Sequence, residues 1–354
     1  MRPLLNLGRT WTALTEPILA SLVMLNVNAG RMTCEAIDSV LAQTIAERLK
    51  IIVVDNGSRD GSAALLRERF GDRITLIESP ANLGFAGGNN LAFRRAEGKY
   101  LLLLNNDAVA EPHWAQELIS AVEANDSAMG TSKIVTYQDH SLIDCVGHNI
   151  YPDGLSRSRG NWQRDSGQYD RPEETLYASG CAAIYRRDAV EEWGGFDERF
   201  FAYQEDVDLG LKLRLSGHKC VYVPTAVVYH HGSHAENENP FPKVYLIERN
   251  RIWVMLRFFP WRWIVASPWY TLRRLIAAGK AATGGKGRIG QYAKSQPVAL
   301  LVWTILHAWL STLVGVPREL AQRRRILCRR KISAGEFEKA LKRCSAPLTE
   351  MAFM

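Results

Sequence analysis

Cysteine is scarce in this chain: six residues in 354, at positions 34, 145, 181, 220, 328 and 344. No C-x-x-C pair occurs and no Cys/His cluster falls at zinc spacing, which argues against a disulfide framework and a structural zinc module. A reduced, cytosolic setting is the expectation. The N-terminus lacks a continuous apolar core, because Glu16 and Pro17 interrupt it, so no signal peptide is read there. The G-x-G-x-x-G order of a dinucleotide fingerprint is missing. No basic stripe interleaves with aromatics on a nucleic-acid reading module, so no nucleic-acid partner is expected.

What is present is enough apolar material for a full core, at 47% hydrophobic residues, and a formal charge of +7 that suits phosphate-bearing partners. Apolar runs at Ser21–Val27, Lys50–Val54, Ile74–Glu78 and Tyr100–Leu104 read as strands separated by helical stretches. Thr33 is expected to cap one helix, with Ile37, Val40 and Leu41 on its inner face. Asp60 is expected to cap the next, with Ala64, Leu65 and Phe70 inward. Such alternation predicts an α/β fold with right-handed crossovers and a mostly parallel sheet flanked by helices. Residues 138–171 carry little periodicity and read as a long irregular excursion of flap type. Strand character returns at Tyr177–Tyr185, followed by an acidic amphipathic helix over about 204–216 and two short strands at 219–223 and 226–230.

Ligands in such sheets sit beyond the carboxyl ends of the strands, and polar residues follow three of the four. Asn26 and Asn28 end the first, Asp55, Asn56, Gly57 and Ser58 the second, and Asn105, Asn106 and Asp107 the fourth. Turn formation explains any single one of these; three at one edge point to a site. Asp55 is placed to accept the imide N–H of a uracil or thymine ring. Asp107, after four leucines, suits a divalent ion holding a diphosphate. In the segment 82–90, NLGFAGGNN, Gly84 permits close backbone approach, while Asn82 and Asn90 offer neutral hydrogen-bonding groups for a donor; Asn90 can equally begin a helix. Glu205, Asp206 and Asp208 cluster at the start of the acidic helix, where one carboxylate can deprotonate an alcohol. Dipole compensation is the plainer role for the others. Trp193 and the aromatics at 196, 200, 201 and 203 can wall a sugar site.

Together, NVN at 26–28, IIVVDNGSRDGS at 51–62, NLGFAGGNN, LLLLNNDAV at 101–109, SGCAAIYRR at 179–187 and the run GGFDERFFAYQEDVDL resemble the family 2 glycosyltransferases, in particular the rhamnosyltransferase-like branch. The resemblance covers about residues 20–235. It implies a GT-A fold, a nucleotide-sugar donor (dTDP- or UDP-linked), Mg²⁺ or Mn²⁺, and inversion at the anomeric carbon. It assigns the base to Asp206, with Glu205 and Asp208 as orienting or acceptor-binding groups. It also implies metal contacts from Asp107, from Asn105 at a place that is acidic in the family's Asp-x-Asp pattern, and from His230 in VVYHHGSH. The expected product is a growing surface glycan, with a polyprenyl-diphosphate-linked acceptor. The alternative is a non-catalytic nucleotide-sugar-binding regulatory protein on the same fold.

Three regions are expected: an extension at 1–19, the GT-A domain at 20–244, and a helical, aromatic and basic region at 245–354. Val298–Val316 holds no formally charged residue over nineteen positions. That approaches the roughly 20 needed to span a bilayer. A single crossing would send the arginines of 318–331 to the opposite side from a cytosolic catalytic domain, so peripheral or monotopic attachment to the inner face of the cytoplasmic membrane is expected instead. A cap packed on the enzyme itself, or on a second subunit as a homodimer, is the other occupant of that surface.

Overall fold

The four apolar runs become four neighbouring parallel strands in the computed structural model, which describes residues 17–232, 240–283 and 298–347. The expected extension at 1–19 therefore falls almost wholly outside the described residues. β1 (Ala20–Asn26), β2 (Leu49–Asn56), β3 (Thr75–Ser79) and β4 (Tyr100–Leu104) lie in the order β3-β2-β1-β4. Side chains alternate along each strand into two cores. Leu22, Ile51, Val53, Leu102 and Leu104 enter one, and Val23, Ile52, Val54, Leu101 and Leu103 the other. Burial on both faces explains why these strands read as unbroken apolar runs.

Beyond β4 the sheet is mixed. β5 (Ala108–Ala110), β6 (Met129–Thr136), β7 (Ile143–Cys145), β10 (Glu173–Thr175), β11 (Ala182–Arg186) and β12 (Cys220–His230) extend it, while β8 (His148–Ile150) and β9 (Ser156–Ser158) form a separate hairpin. β11 runs antiparallel to β4 and β6, and β12 is parallel to β6. The two strands expected at 219–223 and 226–230 are one strand, β12, with a register shift between Val223 and Val227 where Pro224 removes a donor.

The helices are α1 (Gly30–Leu41), α2 (Ser62–Phe70), α3 (Gly84–Phe93), α4 (Trp114–Ala124), α5 (Arg187–Trp193), α6 (Glu205–Leu215), α7 (Pro240–Phe258), α8 (Trp261–Thr283), α9 (Val298–Cys328) and α10 (Ala334–Arg343). Two capping expectations are corrected. Thr33 lies inside α1, donating to Asn26 Oδ1 at 2.7 Å, and the first α1 amide, Gly30 N–H, donates to Ser62 Oγ instead. Asp60 precedes the α2 cap, Gly61, and accepts from Ser62 N–H at 3.0 Å; Leu66 and Phe70 face inward while Ala64 and Leu65 are exposed.

The expected flap is also corrected. Ile143, Val146, Ile150, Tyr151 and Leu155 are buried, and the fully buried Asp153 is gripped by Arg274 Nε at 2.7 Å. Nor is α6 amphipathic: every residue from Val207 to Leu215 is buried. Its second face is covered by the C-terminal helices, with Val207, Leu211 and Leu215 packed beside Trp253, Phe258, Ile326 and Leu341.

Buried ion pairs fasten those helices down. Arg257 on α7 lies 2.6 Å from Asp208 Oδ1, 2.5 Å from Glu319 Oε2 and 3.0 Å from Asp197 Oδ2. Glu248 takes Arg251 at 2.7 Å and Arg274 at 2.8 Å. α7 crosses the boundary expected at 244. On the outside, Val265, Trp269, Leu272 and Ile276 form an exposed stripe on α8, and Val302, Leu306, Leu310 and Leu313 form another on α9. Among the described residues, α9 is the one helix long and apolar enough to cross a membrane.

Candidate functional site

A cavity of about 500 Å³ opens at the carboxyl ends of β1, β2 and β4, lined by Asn28, Asn56, Asn82, Gly84, Asn105, Asn106, Asp107, Gly180, Phe201 and Ala202 among others. Asp107 reaches it because β4 ends one turn earlier, and the turn is pinned by Asn105 N–H donating to Cys181 O at 2.8 Å. His230, at the end of β12, places Nε2 3.2 Å from Asp107 Oδ1 and Nδ1 2.7 Å from Asp144 Oδ2. The result is a carboxylate–imidazole–carboxylate line.

Electrostatics follow from that line. Burial alone would raise the Asp107 carboxyl, but the hydrogen bond and charge of His230 outweigh it and hold the group below the ordinary carboxylate range. For His230, burial opposes the charged form, yet Cys181 and the two carboxylates raise it far above the usual imidazole range. His231 turns the other way, stacked on Tyr137 and 3.3 Å from Glu35.

Asp107 and His230 are donor types that a divalent ion takes, but here His230 Nε2 is engaged with Asp107 Oδ1 at 3.2 Å, and ligation would require the imidazole to give up that proton. Asp144 supplies the outer carboxylate that commonly orients a ligating imidazole. Among the described residues no group of three or more His, Cys, Asp or Glu could hold a metal ion. Asn105 lines the same cavity.

At the other strand ends, Asn26 Nδ2 donates to Asp55 Oδ1 at 2.6 Å and to Ser58 Oγ at 3.0 Å. Asp55 is buried behind the neighbouring lining residue Asn56 and also accepts from Ser58 N–H. Asn28 takes a left-handed backbone, φ 50°, and its Oδ1 accepts from Arg59 N–H. Asn82 Oδ1 accepts from Gly84 N–H at 2.8 Å. Gly84 is irreplaceable on geometry: φ is 72°, and a Cβ would lie 2.3 Å from Phe201 O.

Asp206 sits just behind the cavity wall, its Oδ2 accepting from Gly180 N–H at 3.1 Å and its Oδ1 from Val207 N–H at 2.8 Å. A carboxylate retains further lone pairs after two such bonds. The turn leading to it is strained: Phe201, Tyr203 and Gln204 all have φ between 65° and 73°. Asn250 on α7 holds this turn, with Nδ2 donating to Phe200 O, Ala202 O and Tyr203 O at 3.0, 2.9 and 2.7 Å.

Four expected site residues lie elsewhere. Asn90 is buried inside α3 and clamps Phe196, donating to its carbonyl and accepting from its N–H, because α3 turns that face toward the 194–198 loop. Glu205 is buried, and its carboxyl is pushed well up, foremost by burial and then by Asp206. Asp208 is consumed by Arg257 and Lys212. Trp193 lines a different cavity and donates to Ser216 Oγ. Asp144 and Asn250 were not expected: one stands in an aperiodic stretch and the other in an arginine-rich helix, with no local signal.

A sheet of this order with a polar cleft at its strand ends defines an α/β protein whose ligand site lies beyond the carboxyl ends of its parallel strands. Residues 21–194 match the model of glycosyl transferase family 2, and that stretch of the chain belongs to the family. It is 29% identical over 218 residues to an O-antigen biosynthesis protein, RfbC, of Myxococcus xanthus, covering 58% of this chain but 17% of the relative. It is 27% identical over 214 residues to the N-acetylglucosaminyl-diphospho-decaprenol L-rhamnosyltransferase of Mycobacterium tuberculosis, covering 54% of this chain and 69% of the relative. Its fold is similar to that of a mannosyltransferase of Pyrobaculum calidifontis solved with GDP-Man and Mn²⁺, at a TM-score of 0.52 and 15% identity over 88% of this chain and 87% of the other. It is also similar to GalNAc-T7 solved with UDP, GalNAc and Mn²⁺, at a TM-score of 0.56 and 14% identity over 69% and 48%.

Proposed function

We propose that the chain is an inverting, metal-assisted glycosyltransferase that moves a sugar, rhamnose from dTDP-rhamnose in the first instance, onto a lipid-linked or growing surface-polysaccharide acceptor. The observation that carries this is that Asp107, backed by His230 and Asp144, lines the same cavity as Gly180, whose N–H donates to Asp206. The lipid-linked acceptor is supported by the name of the mycobacterial relative.

In this reading Asp206 takes the proton from an acceptor hydroxyl as its oxygen bonds to the anomeric carbon. The bond from that carbon to the diphosphate breaks on the opposite face, so configuration inverts. Asp107 and His230 would hold Mg²⁺ or Mn²⁺, which supplies charge stabilisation to the departing diphosphate. Asp144 keeps the His230 ring oriented. Asp55, fixed by Asn26, reads the pyrimidine, and the Gly84 turn lets the protein backbone approach the donor closely. The apolar stripes of α8 and α9 support peripheral attachment to the cytoplasmic face of the membrane.

The test is nucleoside diphosphate release by purified chain from dTDP-rhamnose and UDP-sugars, with acceptor and Mn²⁺. Asp206→Asn is expected to lower kcat by about 10²–10⁴ while donor affinity is unchanged. Normal turnover in that variant would remove the base assignment. Donor binding by wild type without any release would instead mark a regulatory binding protein.

A further inference from the structure

A second cavity, about 850 Å³ and larger than the first, lies between the 195–199 loop, α6 and the far end of α9. From the last turns of α9 and just past its end it is lined by Ala321, Gln322, Arg324, Arg325, Ile326, Cys328 and Arg329. Five cations border it, Arg199, Lys212, Arg324, Arg325 and Arg329, of which Lys212 is already paired with Asp208 and Arg199 with Asp197. The one acid among the lining residues, Asp197, is already neutralised, since Arg199 Nη2 and Arg257 Nη2 stand 2.5 and 3.0 Å from it. Its carboxyl accordingly lies far below the ordinary range although burial opposes this. Lys212 and Arg329 are steered by Trp193, whose ring centre is 6.0 and 5.0 Å from their charged groups.

The site adjoins both features that matter to a lipid-linked acceptor. Val314, the last exposed apolar residue of the α9 surface, precedes Arg325 by eleven positions, or about 16 Å along a helix. On its other side, the chain passes from Arg199 in this cavity to Phe201 in the first within two residues. We propose that the second cavity is an anion site that takes a phosphate or diphosphate group, supplied by a membrane lipid or by a lipid-linked acceptor. This rests on the transferase reading for its biological use and not for its chemistry. Clustered guanidiniums beside a neutralised acid bind phosphoryl oxygens through charge-assisted hydrogen bonds.

Binding is measured on the full chain with inorganic pyrophosphate in EDTA, which silences a metal-dependent first cavity, and with phosphatidylcholine vesicles with or without phosphatidylglycerol. The double variant Arg324→Gln/Arg325→Gln is expected to weaken pyrophosphate binding at least about tenfold, a loss larger than a merely solvated charge pair gives. Arg69→Gln/Arg73→Gln, which removes the same charge from α2, serves as control. If the double variant also loses phosphatidylglycerol-dependent vesicle binding, the group comes from the bilayer; if vesicle binding persists while pyrophosphate binding is lost, it comes from the acceptor. Equal pyrophosphate binding by wild type and the double variant, or an equal loss in the control, overturns the site. Failure of the transferase reading would show separately, as absent sugar-nucleotide turnover with pyrophosphate binding intact.

Discussion

Replacing Asn250 by leucine keeps the branched four-atom outline of the side chain and removes the donors that hold the turn before Asp206. Phe200 O keeps a partner in Arg249 Nη2 at 3.1 Å, so the orphaned acceptors are Ala202 O and Tyr203 O. A polar group left unsatisfied costs about 1–3 kcal/mol when buried, and both bonds here are part-buried, which puts the combined loss near 2–3 kcal/mol. The turn stores strain of about 3–6 kcal/mol, since each left-handed residue other than glycine costs about 1–2 kcal/mol and there are three. Without Asn250 the strained and relaxed turns come close to balance. Asp206 then leaves its place behind Gly180 for much of the time, and Phe201 no longer caps Ala86 N–H, which it accepts at 3.1 Å. The expected outcome is a fall in kcat of about 10- to 100-fold, since 1.4 kcal/mol is a factor of ten. Metal affinity should hold, because Asp107 and His230 are untouched. Steady-state kinetics with amide exchange over residues 200–208 reads both halves. Wild-type kcat with unchanged exchange protection would refute the account of the turn.

Other consequences follow from the same coordinates. Asp144→Asn weakens the grip on the His230 ring and should raise the Mn²⁺ concentration for half-maximal turnover by about 10- to 100-fold with little change in donor binding. Glu205→Gln mimics a buried protonated carboxyl, so kcat near neutral pH should match wild type and melting temperature should not fall; a collapse in kcat would make Glu205 the reacting acid. Glu248 is lowered from 4.5 to about 2, with burial opposing and Arg251 and Arg274 prevailing. A depressed acid contributes stability present above its unfolded value and lost as pH falls through its folded one. The stability gap between wild type and Glu248→Gln should therefore be full above pH 4.5 and close toward pH 2, by at most about 3 kcal/mol in urea titrations.

The first half of the fold was legible because its strands are buried on both faces, which writes Leu101–Leu104 and Ile51–Val54 as unmistakable runs. Cleft residues at strand ends were legible for the same reason: a polar residue ending such a run has one place to go. Long-range partnerships were not. Ser62 supplies the α1 cap from 32 positions away, and Asp144 meets His230 across 86 residues, so neither leaves a local spacing. Asn90 and Glu205 sit in motifs that looked ligand-facing, but helix phase turns one toward Phe196 and the other into the interior. The acidic helix read as half-exposed because its second covering layer comes from α7, α9 and α10, beyond any window around residue 210.

That covering layer bears on what can be cut or exchanged. The family match ends at 194, yet a fragment stopping near 244 would keep Asp153 and Asp208 while discarding Arg251, Arg257 and Arg274. Asp208 would keep Lys212 but lose Arg257, Asp153 would lose both of its arginines, and the apolar face of Val207, Leu211 and Leu215 would open to water. The helical third is thus part of the catalytic unit's interior, and a tail borrowed from a relative would have to arrive with arginines that meet these same two aspartates.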